Sequence, residues 1–322
     1  MALITSQKIA AYYEKYHAIE VTFAREVIQV TGMVTQQIFL KCGGDFWPCV
    51  VYTTSMEGAK IVANIKSGIV GKLSQANNMG NLRFCFKNAD ADSPVTFFVA
   101  VKITGNAPYD KSKDMNLFTL QFTQRPPDDL IEVLGRLLDA NYNSVKRKND
   151  RINLTADAVR RLKVQINDVA VFIQQVPRRC ILREISFSGA KLVVMGVAKF
   201  LVEKESALKI DFEDPYESFA IQGKCIAADA VEGRQDLLAV ALEFNESTIP
   251  MAYKIRINDY LSQFLGGQEK SGGAASSGSA SPASPAAPRT PPPEKSAAQN
   301  AVEALTAMKK AAENEPAPKD GH

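Results

Sequence analysis

Residues 147–189 read RKNDRINLTADAVRRLKVQINDVAVFIQQVPRRCILREISFSG and form the most informative part of this chain. The stretch begins in a polar segment with Arg147 and Arg151, which are four positions apart. It ends with EISFSG at residues 184–189, a pattern typical of a strand that runs into a tight turn. The residues between the two ends include an apolar, largely β-branched set that is typical of strands: Ile152, Leu154, Leu162, Val164, Ile166, Val169, Val171 and Ile173.

The order of these features resembles the signature of the PilZ domain, which is RxxxR, then a first strand, then DxSxxG at the turn between later strands. The matching positions here are Arg147, Arg151, Glu184, Ser186 and Gly189. The resemblance implies a small antiparallel barrel that binds the bacterial second messenger cyclic di-GMP at these residues. The chain departs from the pattern at Glu184, where the family usually has Asp. The extra methylene puts the affinity for the ligand in question, though not its identity.

The chemistry of these side chains suits such a ligand, which carries phosphodiester charges and guanines. An arginine guanidinium pairs bidentately with phosphate or with guanine O6 and N7, and it also stacks on bases. Glu184 is an acceptor for a guanine edge, Ser186 offers a hydroxyl, and Gly189 allows a turn or a close backbone approach. The alternative is a solvated linker with two arginines, followed by an ordinary serine-glycine hairpin. RxxxR alone is a weak signal, and both halves in this order favour the binding site.

The composition of the chain limits the classes of function. With 322 residues, 46% of them hydrophobic, the chain is long enough for two domains with substantial cores. Its 38 basic and 35 acidic residues nearly balance at a net charge of +3, so nucleic acid is not expected as a partner. Five scattered cysteines and two histidines favour neither a zinc site nor a disulfide framework. We therefore predict no metal and no cofactor besides the ligand cyclic di-GMP.

Targeting and catalytic patterns are also missing from the sequence. The first residues, MALI, lack a basic region followed by a long apolar core, so no signal peptide is predicted. No uninterrupted apolar run approaches the roughly 18 residues that a membrane helix needs. No nucleophile–base pair, metal cluster or glycine-rich phosphate loop is evident, which argues against an enzyme. The sequence thus predicts a soluble cytoplasmic protein without a membrane span.

The N-terminal part of the chain shows a short helix and then a series of strands. Apolar residues at helical spacing between positions 6 and 16 predict the helix. Its tyrosines form either a stacking platform or part of a core, and amphipathic spacing favours the core. From residue 19 to residue 122 the pattern is β, with an early strand through Val27 and Val30. Many short strands separated by polar turns predict a compact barrel or sandwich.

A second helix and a second β series follow. Leucines at helical spacing after the Pro-Pro-Asp-Asp sequence at residues 126–129 predict an inter-domain helix, which Gly135 weakens locally. From residue 146 onward the pattern predicts further strands, a hairpin loop at residues 228–236 and a closing helix at residues 255–264. Three arginines before the turn motif either extend the anion site or solvate an exposed strand: Arg178, Arg179 and Arg183.

The last part of the chain has a different composition. From residue 266, Gly, Ala, Ser and Pro dominate, and such a segment cannot offset its ordering entropy, so we predict disorder. Residues 296–313 regain helical character, with Val302, Leu305 and Met308 on one side. This segment is either a partner-binding helix or an isolated, transient one, and its shortness favours the second.

The predicted fold is mainly β, with two small antiparallel β-barrels joined by a helix and a hinge, then a disordered tail. The first barrel has the size and strand content of the N-terminal domains of flagellar-brake proteins and of two-domain spirochaete-type receptors, which it resembles in architecture only. The predicted segments are an N-terminal barrel at 1–125, a linker helix at 126–145, a PilZ domain at 146–265 and a low-complexity tail at 266–322.

The main functional hypothesis is a non-enzymatic receptor. Cyclic di-GMP would order a mobile hinge at residues 146–151, reorient the barrels and so regulate a protein partner, in the flagellar or motility apparatus or in envelope processes. One alternative is a ligand-independent adaptor, although an adaptor would not need both motif arginines. Another is an RNA-binding barrel, which would require a basic face with interleaved aromatic residues, and no stretch of the sequence shows one.

Overall fold

The computed structural model describes residues 5–88, 93–110 and 114–264. The chain divides into two units, Met1–Gly266 and Gly267–His322, and every described residue belongs to the first unit. The predicted tail and its short helix lie outside the described residues. Those residues form two closed, six-stranded antiparallel barrels with helices, which confirms the predicted mainly β class.

The first barrel closes because its end strands pair with each other. The described strands of this sheet are β1 (Val21–Thr22), β2 (Phe39–Cys42), β3 (Asp45–Thr54), β4 (Gly58–Asn64), β5 (Met79–Phe86), β6 (Val95–Pro108) and β7 (Met115–Phe122). The closed order is β3-β2-β5-β6-β7-β4, and β4 returns to β3, while β1 pairs with the other side of β3. Burial alternates along β3, with Trp47, Cys49 and Val51 inside and Phe46 and Val50 outside, as expected for a strand with one buried face.

Helix α1 (Ser6–Tyr16) lies where the spacing predicts it. Its N-cap is Thr5, whose side chain accepts a hydrogen bond from the Lys8 N–H. Tyr12 and Tyr16 are buried in the core of the first barrel, so the core interpretation of these tyrosines is confirmed. The Tyr16 hydroxyl donates to Asp139 Oδ1 over 2.9 Å, which gives its buried polar end a partner.

The predicted strand through Val27 and Val30 is wrong. These residues lie in helix α2 (Arg25–Thr31), in which Val27 is buried. The helix is capped by Gly32, whose N–H donates to carbonyls of the last turn. A second short helix, α3 (Ile69–Gln75), likewise interrupts the strands of this barrel. Short β-branched runs fit either structure, and contact with the core selects the helix here.

Helix α4 (Asp128–Lys146) is the predicted inter-domain helix and extends to residue 146. Its leucines are buried in the first core. A β-carbon at Gly135 would lie 2.3 Å from Tyr12 Cδ2, so glycine allows α1 and α4 to approach closely. Glycine at position 135 is therefore explained by the close contact between α1 and α4.

The second barrel has the same closed form. Its strands are β8 (Arg151–Asn153), β9 (Val164–Ile173), β10 (Val176–Ser186), β11 (Gly189–Met195), β12 (Glu205–Phe212), β13 (Glu217–Val231) and β14 (Arg234–Phe244), and its helices are α5 (Ala156–Leu162) and α6 (Met251–Phe264). The closed order is β10-β11-β14-β13-β12-β9, and β9 returns to β10. The short strand β8 pairs with the other part of β10.

One prediction for this barrel is wrong and another holds in part. Most of the apolar positions between residues 152 and 173 lie in β8 and β9, as a strand pattern predicts, but Leu162 lies in α5. The Thr155 side chain caps α5 by accepting from the Ala158 N–H, and Ala158 and Leu162, four residues apart, are its buried positions. The predicted loop at residues 228–236 is mostly strand, because β13 and β14 continue to a tight turn.

Helix α6 contacts both cores. Met251 is buried in the first core, while Tyr253, Ile257 and Leu261 lie at four-residue spacing in the second. The Met251 N–H donates to Glu26 Oε1 over 2.7 Å, which satisfies a donor at the start of the helix.

Helices α4 and α6 are joined by polar contacts. Arg136 Nη2 donates to Asp259 Oδ2 over 2.7 Å, and Asn143 Nδ2 donates to Asn258 Oδ1 over 2.8 Å. Asn258 is only 1% exposed, so its side chain is buried with partners. The two helices therefore connect the cores of the two barrels.

Candidate functional site

Arg147 lies at the end of α4. Its N–H donates to the Asn143 carbonyl over 2.8 Å, and its side chain turns back so that Nε donates to Asp150 Oδ2 over 2.7 Å. The Asp150 N–H donates to the Arg147 carbonyl, which closes the turn. The side chain of Arg147 is 26% exposed. A cation is thus held near solvent by a carboxylate of the same chain.

Arg151 begins β8, and backbone pairing brings it to the turn motif. In the antiparallel register Arg151 lies opposite Ser186, and Asn153 lies opposite Glu184. Arg151 Nη1 is 3.6 Å from Glu184 Oε2, an ion pair on a half-exposed arginine. Two motif residues 33 positions apart in sequence are therefore neighbours because of β8.

Glu184 lies at a bulge of β10, between two cations. The pairing of β10 with β11 shifts between Leu182 and Glu184, and Glu184 is opposite Lys191. Lys191 Nζ is 3.5 Å from the same Oε2 atom that faces Arg151. The carboxylate keeps 22% side-chain exposure, so it is accessible to a donor from a ligand. The carboxylate of Glu184 therefore lies between the cations of Arg151 and Lys191.

Ser186 has a structural role that the motif does not indicate. The residue is 1% exposed, and its hydroxyl donates to the Gly189 carbonyl over 3.1 Å. The buried Tyr253 hydroxyl donates to the Ser186 carbonyl over 2.8 Å. Burial raises the pKa of Tyr253 well above its usual value, so this donor stays protonated at neutral pH. Ser186 therefore holds the turn, while its hydroxyl faces the protein.

Gly189 is needed for a close approach between strands. A β-carbon there would lie 2.3 Å from the Leu242 carbonyl oxygen on β14. Gly189 pairs with Glu243 in the register of β11 and β14. The contact that requires glycine in this structure is therefore with a neighbouring strand of the barrel.

The predicted hinge is anchored by polar contacts. The Ser188 hydroxyl donates to the Lys148 carbonyl over 2.9 Å, which joins the segment after α4 to the turn between β10 and β11. Lys148 Nζ also pairs with Glu246 Oε1. The hydrogen bond to Glu246 raises the pKa of Lys148. The hinge predicted at residues 146–151 therefore has a hydrogen bond and an ion pair to residues of the second barrel.

The structure adds residues to the predicted site. Lys191, Ser188 and Asp150 contact motif residues or the segment that carries them. Lys191 follows Glu184 by seven positions, and a hairpin centred on residues 187–188 would have indicated their pairing. Ser188 and Asp150 lie inside the motif segments, but their partners depend on the tertiary fold.

Of the three other arginines, Arg178 does not extend the site. It lies eight residues before Ser186 on β10, about 26 Å away at strand spacing. Its Nη1 donates to the Met195 carbonyl over 3.3 Å.

Two other kinds of feature are missing from the described residues. They contain no group of three or more His, Cys, Asp or Glu side chains that could hold a metal ion. None of their helices combines the length and the apolar character required to cross a bilayer.

All five cysteines are free thiols. Burial raises the pKa of Cys49 to about 12 and that of Cys180 to about 11, so both stay protonated at neutral pH.

Comparisons with known proteins assign the family. A family model described as the PilZN3 domain matches residues 7–141. A protein of Treponema denticola named cyclic di-GMP binding protein is 42% identical over 263 residues, which cover 81% of this chain and 84% of that protein.

Two solved structures are also similar. The Borreliella burgdorferi PlzA protein in complex with c-di-GMP shows 24% identity and a TM-score of 0.36, over 79% of this chain and 98% of that one. Escherichia coli YcgR in complex with c-di-GMP shows 12% identity and a TM-score of 0.24, over 76% of this chain and 89% of that one. On the identity to the Treponema protein and the PilZN3 match, this chain belongs to the PilZ family, as a two-domain member.

Proposed function

We propose that this protein is a non-enzymatic receptor that binds cyclic di-GMP on its second barrel. The observation that carries the proposal is the contact of Arg151 with Glu184, beside the turn that presents Arg147. This arrangement offers cations for phosphates and an accessible carboxylate for a guanine edge. The relative at 42% identity is named a cyclic di-GMP binding protein, which supports the same ligand here.

Binding exchanges internal ion pairs for contacts with the ligand. A phosphate replaces Asp150 at the Arg147 guanidinium, and Arg151 turns from Glu184 toward the ligand. Glu184 then accepts hydrogen bonds from a guanine edge while Lys191 continues to balance its charge. Ser186 and Gly189 act through the shape of the turn, because the hydroxyl and the glycine already have contacts within the barrel.

The ligand signal passes through α4 and α6. Arg147 follows the last residue of α4, and Tyr253 of α6 holds the turn at Ser186. A change at either point alters the contacts between the helices, such as Arg136 with Asp259. The resulting reorientation of the barrels regulates a protein partner, for which the motility apparatus and envelope processes are the candidates.

A ligand-independent adaptor is the second candidate. The observation that favours it is that Arg147 and Arg151 each already have a carboxylate partner within the chain. In an adaptor these pairs would only stabilise the segment between α4 and β8.

Isothermal titration calorimetry with cyclic di-GMP separates the two candidates. Arg147→Ala and Arg151→Ala are each expected to lose about 1–3 kcal/mol of binding free energy. Arg160→Ala is the matched control, because this exposed arginine on α5 also pairs with a carboxylate three residues away. GTP and cyclic di-AMP should bind far more weakly. No binding by the native chain, or equal binding by the Arg147→Ala/Arg151→Ala variant, would contradict the receptor.

Small-angle scattering and hydrogen exchange test the reorientation. Cyclic di-GMP should change the scattering profile and slow exchange around residues 143–151. Tight binding with neither change would mean that the ligand acts on the surface of the second barrel alone.

A further inference from the structure

One outward face of the first barrel combines aromatic and basic side chains from four strands. We define the basic-aromatic face as Phe98 on β6, Arg83 on β5, Phe39 and Lys41 on β2, and Phe46 on β3. The register places Phe98 opposite Arg83, and Arg83 opposite Phe39. Lys41 lies opposite Phe46 in the next row. With strands about 4.8 Å apart, Phe98 and Phe39 lie about 10 Å apart with an arginine between them.

The rings and cations of this face are in direct contact. The Arg83 guanidinium carbon lies 5.7 Å from the centre of the Phe39 ring, and Lys41 Nζ lies 5.2 Å from the centre of the Phe46 ring. Phe46 and Phe98 are 54% and 44% exposed, whereas the phenylalanines in the core of this barrel are buried. These are large apolar surfaces in water, held beside fixed positive charge.

The charge of the face has one sign. Strands β2, β3, β5 and β6 contain three cations, Lys41, Arg83 and Lys102, and a single carboxylate, Asp45. Asp45 is paired with Lys72 over 3.1 Å. Within the described residues, no carboxylate forms an ion pair with Lys41, Arg83 or Lys102. The face therefore attracts anions, and among the described residues no carboxylate paired with these cations competes with them.

A groove of about 350 Å³ adjoins the face and shares Lys41 with it. Asn81 lies opposite Lys41, and both residues line the groove, so an amide with donor and acceptor groups lies beside the lysine. Gly44 and Ala100 also line it, and a β-carbon at Gly44 would meet nothing within 4 Å, so the space there is open. Such a groove gives a planar, polar group access to the sheet.

We propose that the basic-aromatic face binds single-stranded nucleic acid. Sequence-tolerant binding of single strands uses aromatic rings that stack on bases and cations that contact the phosphate backbone, and this face offers both in alternation. The rings and arginine would also suit a protein interface, but fixed charge is depleted at the centre of such interfaces, whereas this face alternates cations with rings. No stretch of sequence shows the pattern because its members come from four strands. The site is separate from the proposed cyclic di-GMP site on the second barrel.

Fluorescence anisotropy of the full chain with a labelled single-stranded DNA of about 15 nucleotides tests the proposal. Phe46→Ala and Phe98→Ala should each weaken binding about fivefold or more. Both side chains are exposed, so the variants should keep the thermal unfolding midpoint of the native chain. Phe200→Ala is the matched control, because Phe200 on the second barrel is 59% exposed and lies 4.9 Å from Lys199 Nζ. It should leave binding unchanged.

Salt dependence gives a second measurement. Lys41→Gln and Lys102→Gln should each lower the slope of log affinity against log salt by about 0.7. Poly-aspartate should compete poorly, because it carries charge without bases. Absence of binding at low salt, equal losses in the Phe200→Ala control, or equal competition by poly-aspartate would each overturn the proposal. The last outcome would identify a surface for acidic proteins instead.

Discussion

Replacing Asp150 with asparagine should strengthen the binding of cyclic di-GMP. In the unliganded chain the carboxylate of Asp150 accepts from Arg147 Nε over 2.7 Å. If this guanidinium contacts a phosphate of the ligand, the internal pair must first be given up. The neutral amide of the Asp150→Asn variant would have no charge with which to hold the arginine, so the cost of releasing it would fall. The direction of the effect is opposite to that of Arg147→Ala, which removes the contact itself.

The size of the effect follows from the exposure of the pair. The Asp150 side chain is 40% exposed, and exposed pairs contribute about 0.2–1 kcal/mol. Because the Asp150→Asn variant does not have to break this pair when the ligand binds, its affinity should rise by about 1.4-fold to fivefold. The gain should shrink at high salt, because salt screens exposed charges.

Asp157→Asn provides the matched control for calorimetry. Asp157 on α5 pairs with Arg160 and Arg161 over 2.7 and 2.6 Å, and its removal changes the net charge equally. The hydrogen bonds from Arg161 and Arg160 lower the pKa of Asp157, so it is charged at neutral pH. Equal affinities for the two variants would refute the exchange of Asp150 for phosphate. Weaker binding by Asp150→Asn would show that Asp150 positions Arg147 for the ligand.

Three further predictions concern the turn motif and the tail. Glu184→Ala should weaken cyclic di-GMP binding by about 1–3 kcal/mol in calorimetry, because a guanine edge loses its acceptor, whereas Glu184→Asp should keep most of the affinity. Gly189→Ala should lower the free energy of unfolding in urea by about 1–3 kcal/mol, since its β-carbon would meet the Leu242 carbonyl, and an unchanged midpoint would contradict that contact. Removing residues 266–322 should leave folding and nucleotide affinity intact, and a loss of either would show that the segment contributes.

Local patterns were sufficient for the regular elements with strong periodicity. Helices α1 and α4 follow from apolar spacing, and the β character of both barrels follows from many short alternating runs. Helices α2 and α5 are different, because each has only seven residues, which is too short for apolar spacing to distinguish a helix from a strand. The cap at Thr155 was the available signal for α5.

The candidate site shows the same division. Arg147, Arg151 and Glu184 can be identified from the sequence because a family motif names their positions. The roles of Ser186 and Gly189 cannot, since burial under Tyr253 and the approach to Leu242 depend on other strands and helices. The pairing of Lys191 with Glu184 is intermediate, because it requires only the register of one hairpin.

Sequence alone thus specifies the secondary structure class, the motif and the charge balance, because these depend on neighbours within a few residues. The fold determines which charges meet. The basic-aromatic face exists only because β2, β3, β5 and β6 align residues up to 59 positions apart, such as Phe39 and Phe98. In the same way, Met251 reaches the first core only because α6 packs on α4. Which distant strands pair depends on the total apolar surface that each barrel buries, and a local sequence pattern does not contain that information.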